Sequence, residues 1–523
     1  GSRGAEFRFN RNYATGALFT ALAIVMILIR VPMLSRIQLP GEVSPTLQAT
    51  INIAKSVFSK DTKAMLLGTA PGTFGLDWLQ FKDRSINKDQ FWSVRFNQGS
   101  SWLSTLLATT GIFGFLSFVI FLAVSFLLFL RAILLSRNEE SSPAEGFFLG
   151  FVGLVAVAFL YPATVTFLFA LFFTIGLLTA ALGMKHGEVG EVTVSGHEEI
   201  ENNEIAAEFA GDNRRTSLMD IHGKMIRFEG PWAMFLSSLV TIFVLVLSVA
   251  ALYTQTIQVQ AALLTQSGIE AFNRGALEES VASFSQAAQV ADTNYGIYRL
   301  LLQARIEQIR KLVERAARGE NVQQQFQVTV STAVREAARS LELGSRDPDL
   351  WRAQGALYQL LIPFIDGSHR FAFDSYQKAS ELDPLNPLIY TDLGTARLVY
   401  ADRLLAIVNQ GVPDRDKQVK EREGVLRDAV NTFERAIAVK EDFASAHFLL
   451  AQAALRLGNT EKAIKSVEGA RLAAPFDIGI AFQLGLLYYQ TNDLGRARAE
   501  FERAISINDN YSNARYFLGL IYD

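Results

Sequence analysis

The chain reads as all-α: a polytopic transmembrane helical bundle followed by an α-solenoid. Three observations lead there. A pattern recurs at a spacing of 34 residues, with copies opening at Phe443, Asp477 and Tyr511, and a repeat of that length means stacked helical hairpins. Several stretches before Tyr253 are apolar over the roughly 17–25 residues that a bilayer-spanning helix needs. Of the 523 residues, 50% are hydrophobic and 39 are Phe, a composition too apolar for a wholly soluble protein.

Charge and cysteine content narrow the function classes. A net charge of -3, from 49 basic and 52 acidic residues, leaves no cationic excess to displace phosphate counterions, so no nucleic-acid partner is expected. The absence of cysteine removes disulfides, zinc-thiolate sites and thiol nucleophiles together. No cofactor or metal motif is present. The chain starts at Gly1 and stops at Asp523 one short helix into a new repeat, so both ends are expected to be cut from a longer protein.

Residues 1–184 form the expected membrane region. Its spans are Ala14–Ile29, Leu103–Leu130 and the stretch Phe147–Met184, which Pro162 divides into a hairpin of two short helices. An acidic linker follows at 185–230, then a last span at 231–253. Arg214, Arg215, Lys224 and Arg227 precede that span, and no basic residue follows it until Arg274. Positive charge stays on the cytoplasmic side, which predicts a cytoplasmic linker, an extracytoplasmic repeat domain and an outer loop at 31–101. Trp78, Trp92 and Trp102 are expected as anchors at the membrane interface.

The outer loop carries the most distinctive text. Gly68-Thr69-Ala70-Pro71-Gly72-Thr73-Phe74 comes first, then Phe91-Trp92, Arg95-Phe96-Asn97, Gly99-Ser100-Ser101-Trp102 and Thr110-Gly111-Ile112-Phe113-Gly114. The glycines read as turn residues, because no Lys-Ser/Thr follows to complete a nucleotide-binding loop. In its order of motifs, the region 14–184 resembles the C-terminal half of the O-antigen ligase and polymerase superfamily of membrane glycosyltransferases. That resemblance implies transfer of a polyprenyl-diphosphate-linked glycan to an acceptor protein or glycolipid at the outer face of the bacterial plasma (inner) membrane. It implies Arg84 and Arg95 on the diphosphate, since guanidinium holds phosphate oxygens bidentately, with Lys82, Lys88, Asn97 and Trp92 as substrate-binding supports. The family's loop histidine has no counterpart. All five histidines (His186, His197, His222, His369 and His447) lie elsewhere, which leaves Asp89, Asp77 or Asp83 as the acid-base group, a reaction without one, or lost activity.

Residues 261–523 are the repeat domain. In the clearest copy Gly485 and Tyr488 stand on a first helix and Ala497, Phe501 and Ala504 on a second; the copy before has Ala451, Ala463, Val467 and Ala470. Small residues mark close helix crossings, and a large apolar one fills the gap. This pattern resembles tetratricopeptide (TPR) repeats, which implies a TPR α-solenoid with a groove for a protein partner. Earlier copies are legible around Gly268 and Phe284, Gly355 and Tyr376, and Gly394 and Phe433. An insertion near 401–424 is expected to lengthen helices or form an arm, and the Gln-rich stretch 321–327 reads as a loop. His447, Tyr489 and Tyr516 are the candidate groove residues, with inter-helix packing as their structural alternative. Two functions are therefore expected: an O-antigen ligase-like enzyme with a docking array, or a non-catalytic, membrane-anchored TPR scaffold for envelope assembly.

Overall fold

The computed structural model describes residues 43–135, 143–162, 165–185, 231–411 and 414–523. The expected first span at 14–29, the linker residues 186–230 with their basic cluster, and His186, His197 and His222 lie outside the described residues. Among the described residues every regular element is helical.

The segment expected as an open outer loop is a folded unit. It comprises α1 (Leu47–Phe58), α2 (Thr62–Leu67), α3 (Phe74–Phe81) and a 3-10 turn at Arg84–Lys88. Thr46 and Asp61 start the first two helices by accepting from the backbone N–H groups of Ala49 and Ala64. Ile53, Ala54 and Val57 line one face of α1, and Ile53 and Ala54 close with Phe74, Trp78, Leu79, Phe96 and Ala108 into a core. Trp78 is 2% exposed and meets Phe96 edge-on at 4.9 Å. It is a core residue, not an interfacial anchor, because α3 turns its apolar face inward.

The two glycine motifs of this region meet each other. α4 (Trp102–Leu135) is interrupted at Gly111, where φ is 67° and ψ -169°, and Gly68 ends α2 at φ 70°. A Cβ on Gly111 would stand 2.5 Å from the Gly68 nitrogen, and one on Gly68 would stand 2.6 Å from that of Gly111. Only glycine permits both the positive φ and the approach of two backbones. The Ala70 N–H donates to the Thr109 carbonyl at 2.9 Å across the same contact.

α5 (Pro143–Leu160) and α6 (Val165–Lys185) form the expected hairpin beside α4. Leu122, Phe129, Phe151, Leu171 and Leu178 fill the space between the three helices, while Phe113, Ile120, Leu127, Phe169 and Phe173 face outward. The Trp102 N–H donates to the Tyr161 carbonyl at 2.9 Å, joining the α5–α6 turn to the start of α4. By length and composition, two helices among the described residues can cross a bilayer, Trp102–Arg131 and Leu245–Asn273; the apolar stretches Glu145–Leu160 and Thr166–Thr179 are shorter.

α7 (Pro231–Asn273) has 43 residues and no break; at about 1.5 Å per residue it is roughly 65 Å long. Its first half exposes Phe235, Ile242, Phe243, Leu252 and Tyr253, whereas Ala261 and Gly268 pack against α8 (Leu277–Val290). The expected boundary between the last span and the repeats therefore falls inside one helix.

Further hairpins extend the array: α9 (Tyr295–Ala317) with α10 (Gln323–Gly344), α11 (Pro348–Leu361) with α12 (Ser368–Leu382), and α13 (Pro387–Asn409) with α14 (Arg415–Val439). α15 (Ala444–Arg456) pairs with α16 (Thr460–Ala473) and α17 (Ile478–Gln490) with α18 (Leu494–Ile507), and α19 (Ser512–Tyr522) closes the described chain. The insertion near 401–424 lengthens α13 and α14 to 23 and 25 residues. The Gln-rich stretch is a correction. α10 begins at Gln323, because Val322, Phe326 and Val330 give it an inward-facing apolar stripe. One device recurs: a glycine on the first helix receives an aromatic ring from the second, as in Gly268 with Phe284, Gly355 with Tyr376, Gly394 with Phe433 and Gly485 with Phe501.

Candidate functional site

Most of the candidate loop residues lie at a junction between the segment 43–101 and the edge of the array where each hairpin turns into the next. Lys82 pairs with Asp383 at 3.1 Å, each side chain 2% exposed. Arg95 pairs with Asp347 at 2.8 Å and lies 3.9 Å from Asp349. Arg84 donates to the Ala438 carbonyl. Asn87 donates through Nδ2 to the carbonyls of Leu385 at 2.9 Å and Val439 at 3.0 Å, and its own carbonyl accepts from Lys440 Nζ at 2.7 Å. Trp92 meets Phe443 edge-on at 5.7 Å and lies under the Lys440 ammonium. Three successive inter-hairpin turns, near 347, 383 and 440, thus hold one face of the segment.

The cations expected on a diphosphate do not converge. Lys82, Arg84 and Arg95 each engage a different turn. Lys88 and Asp89 are exposed at the end of the 3-10 turn, and Asn97 is exposed with its Oδ1 over Gly75. Of the other carboxylates weighed for acid-base work, Asp83 caps the 3-10 turn by accepting from Ser85. Asp77 is fully buried: it accepts from Thr69 Oγ1 at 2.5 Å and pairs with Arg346 of the array at 3.2 Å. Burial raises its pKa above the usual carboxylate range, against the opposing effects of Thr69, Arg346, Lys60 and Thr73. Burial likewise raises that of Asp383, with Lys82 and Asn386 working against it. Trp92 and Trp102 are packed side chains: Trp102 lies edge-on to Phe118 at 4.5 Å.

The candidate groove residues divide. His447 presses against Gly469 and its Nε2 lies 2.9 Å from the Glu441 carbonyl, which makes it a packing residue between α15 and α16. Tyr489 packs edge-on against Phe517 at 5.3 Å. Tyr516 is 64% exposed on α19. The open cleft lies further back, about 600 Å³ across α9, α11 and α13, and is lined by Arg299, Gln303, Arg310, Asp349, Arg352 and Asp392 among others. Arg352 holds Asp392 through Nε at 3.0 Å and Nη2 at 2.8 Å. Asp349 also meets Arg95, so the docked segment reaches the cleft's rim.

Family comparison agrees with the helix pairing. Two tetratricopeptide repeat family models match, at residues 420–478 and 478–511. The chain carries TPR repeats at 420–511. Among solved structures, the chain is similar to TTC0263, a thermophilic TPR protein of Thermus thermophilus, at 20% identity over 41% of this chain and 96% of that one, TM-score 0.27. It is similar to YrrB, described as a TPR protein with an unusual peptide-binding site, at 16% identity over 45% and 96%, TM-score 0.27. A third likeness is to human IFIT1, solved as a dimer with m7Gppp-AAAA, at 17% identity over 49% and 54%, TM-score 0.33. No curated protein matches. The family matches cover TPR sequence only, and no match supports the O-antigen ligase resemblance.

The sequence carried no signal for Asp383, Arg346 and Lys440, while Asp347 and Asn386 are readable as helix N-caps before Pro348 and Pro387. The second task of Asp347 and of the turn at 439–440, holding a segment roughly 250–350 positions away, depends on docking that no local pattern encodes.

Proposed function

We propose that this chain is a membrane-anchored TPR scaffold that presents its cleft to a protein partner while its turn edge is fastened to the segment 43–101. One observation carries the reading: Lys82, Arg84 and Arg95, the cations that glycan transfer would need on a diphosphate, are engaged by the array. A buried, paired ammonium such as Lys82 is withdrawn from any phosphate, since freeing it would strand Asp383. α4, long and apolar enough to cross a bilayer, and the exposed apolar residues of α7 from Phe235 to Tyr253 support the anchor, and α5 and α6 extend this to a polytopic bundle if their shorter stretches also cross. The cleft offers arginines and carboxylates already paired along its floor, a surface suited to a polar, extended protein segment.

Photo-crosslinking residues placed singly at Gln303 and Ala356, in the cleft, and at Lys378, on α12 outside it, test this in the full membrane-bound chain. The proposal expects one discrete protein adduct from the first two positions and none from the third, with Arg352→Glu removing it. Equal labelling from all three, or no protein adduct, would reject it.

A further inference from the structure

The segment 43–101 holds the array by the starts of helices that wall its cleft. Asp347 is the N-cap of α11: its Oδ1 accepts from the Asp349 N–H at 3.0 Å, and its Oδ2 accepts from Arg95 at 2.8 Å. Asn386 is the N-cap of α13, and its Nδ2 donates at 2.9 Å to Asp383, whose other oxygen pairs with Lys82 at 3.1 Å. Each cation thus grips a cap. α11 and α13 both line the cleft, and Asp349, 3.9 Å from Arg95, also pairs with Arg299 of α9 at 3.4 Å. The distance between the two grips is fixed by the segment's own core. Lys82 is the C-cap of α3, and Arg95 precedes the buried Phe96, whose ring closes on Trp78 of that helix. Asn87, 3% exposed, adds a third tie, because its one amide nitrogen donates to Leu385 in the turn into α13 and to Val439 at the turn into α15. Repeats in a solenoid contact only their neighbours, so its geometry otherwise accumulates from small rotations between successive hairpins. A body with its own core, fastened to three successive turns, removes that freedom.

We propose that Lys82 and Arg95 are positioning residues for the cleft: by seating the first turns of α11 and α13 at a fixed spacing, the docked segment sets the cleft's width. Use of that width by a protein partner rests on the scaffold reading, whereas the width itself can be measured with no partner bound. Release of the segment loosens the cleft, and an occupant that fits only the held width must, by reciprocity, tighten the segment.

The chain has no cysteine, so introduced spin labels report single pairs. In the full chain in nanodiscs, Gln303→Cys with Thr395→Cys spans the cleft from α9 to α13, and Glu461→Cys with Gly495→Cys spans α16 and α18, past the last turn that the segment holds. Lys82→Asp with Arg95→Asp reverses both grips and leaves the segment's core residues in place; unchanged helicity and a newly protease-sensitive segment verify that it undocks without unfolding the array. Arg95→Asp alone, at a side chain 27% exposed, gives the same reading should the buried Lys82 not tolerate reversal. By double electron–electron resonance, undocking is expected to broaden the distance distribution across the cleft about two-fold while the second pair keeps its width. Exchange of one grip, Lys82→Asp with Asp383→Lys, should keep the cleft distribution narrow. An unchanged cleft in the undocked chain overturns the proposal, and so does equal broadening of both pairs or a segment that stays docked without the two cations. The crosslinked adduct from Gln303 separates the two readings: its absence from the parent chain rejects the scaffold reading alone, since the distances are read without a partner.

Discussion

At the residue scale, the junction is organised by a buried pair. Lys82 and Asp383 are each 2% exposed, so their attraction must offset two desolvations, and the net gain over an apolar pair is small. Removing one partner is another matter. Lys82→Met is expected to cost about 3–5 kcal/mol of junction stability, because it leaves the buried Asp383 without its counter-charge. Exchanging the pair, Lys82→Asp with Asp383→Lys, should restore most of it. Protease protection of segment 43–101 in the full chain measures both. A side chain that served a diphosphate would not be rescued by exchange, so restored protection with lost function would return Lys82 to the glycan-transfer reading. Asp77 and Arg346 form the analogous link one turn away, with the difference that Arg346 is half exposed and can remain solvated.

At the element scale, the array rests on glycine–aromatic pairs. A Cβ at Gly485 would lie 2.7 Å from the Phe501 ring and one at Gly355 would lie 2.8 Å from that of Tyr376. Phe501 is fully buried and Tyr376 nearly so, which leaves neither ring room to retreat. Gly485→Val is therefore expected to destabilise the array by about 1–3 kcal/mol through overpacking. Replacement of the exposed Gly495, around which a Cβ meets nothing within 4 Å, should cost nothing measurable. Chemical denaturation followed by helicity separates the two, and equal midpoints would contradict the packing argument. These pairs were legible in the sequence because they are local: sixteen positions separate Gly485 from Phe501, and periodicity alone brings them together. The helical start of α10 at Gln323 was less legible: glutamine favours a helix, but a run of polar residues hides the inward stripe that only Phe326 and Val330 reveal. Gly111 shows the opposite case. Its motif was visible, but its partner Gly68 lies 43 positions earlier, and only the folded backbone shows that the two are one contact.

At the scale of the whole molecule, the segment and the array must occupy one side of any bilayer, because Lys82, Arg84, Asn87, Trp92 and Arg95 touch array residues directly. With α4 and α7 as the spans between them, the number of crossings is even. With α5 and α6 added it is still even, and the Trp102–Tyr161 hydrogen bond keeps the α5–α6 turn at the segment's end of α4. α7 runs without a break from its exposed apolar half into the first hairpin of the array. The sequence predicted a shared compartment from charges that flank the last span; the direct contact is a separate argument for it. Lys82, Arg84, Trp92 and Arg95, singled out as candidates for glycan transfer because cations and Trp stand out in polar text, are residues of the junction. Their partners were not found, because the pairing crosses more than 250 positions and four apolar helices.

The junction can be measured directly, since the chain has no cysteine to confuse a crosslink. Lys88→Cys with Asp442→Cys places one thiol on each side of the junction, where the two residues line one cleft; Lys88→Cys with Glu502→Cys places the second on α18, away from it. A short bis-maleimide applied to the membrane-bound chain should join the first pair rapidly and the second hardly at all, and an impermeant maleimide should reach both members of the first pair from one side. Equal rates for the two pairs, or labelling of Lys88→Cys and Asp442→Cys from opposite sides, would contradict the docking of segment and array on which this account rests.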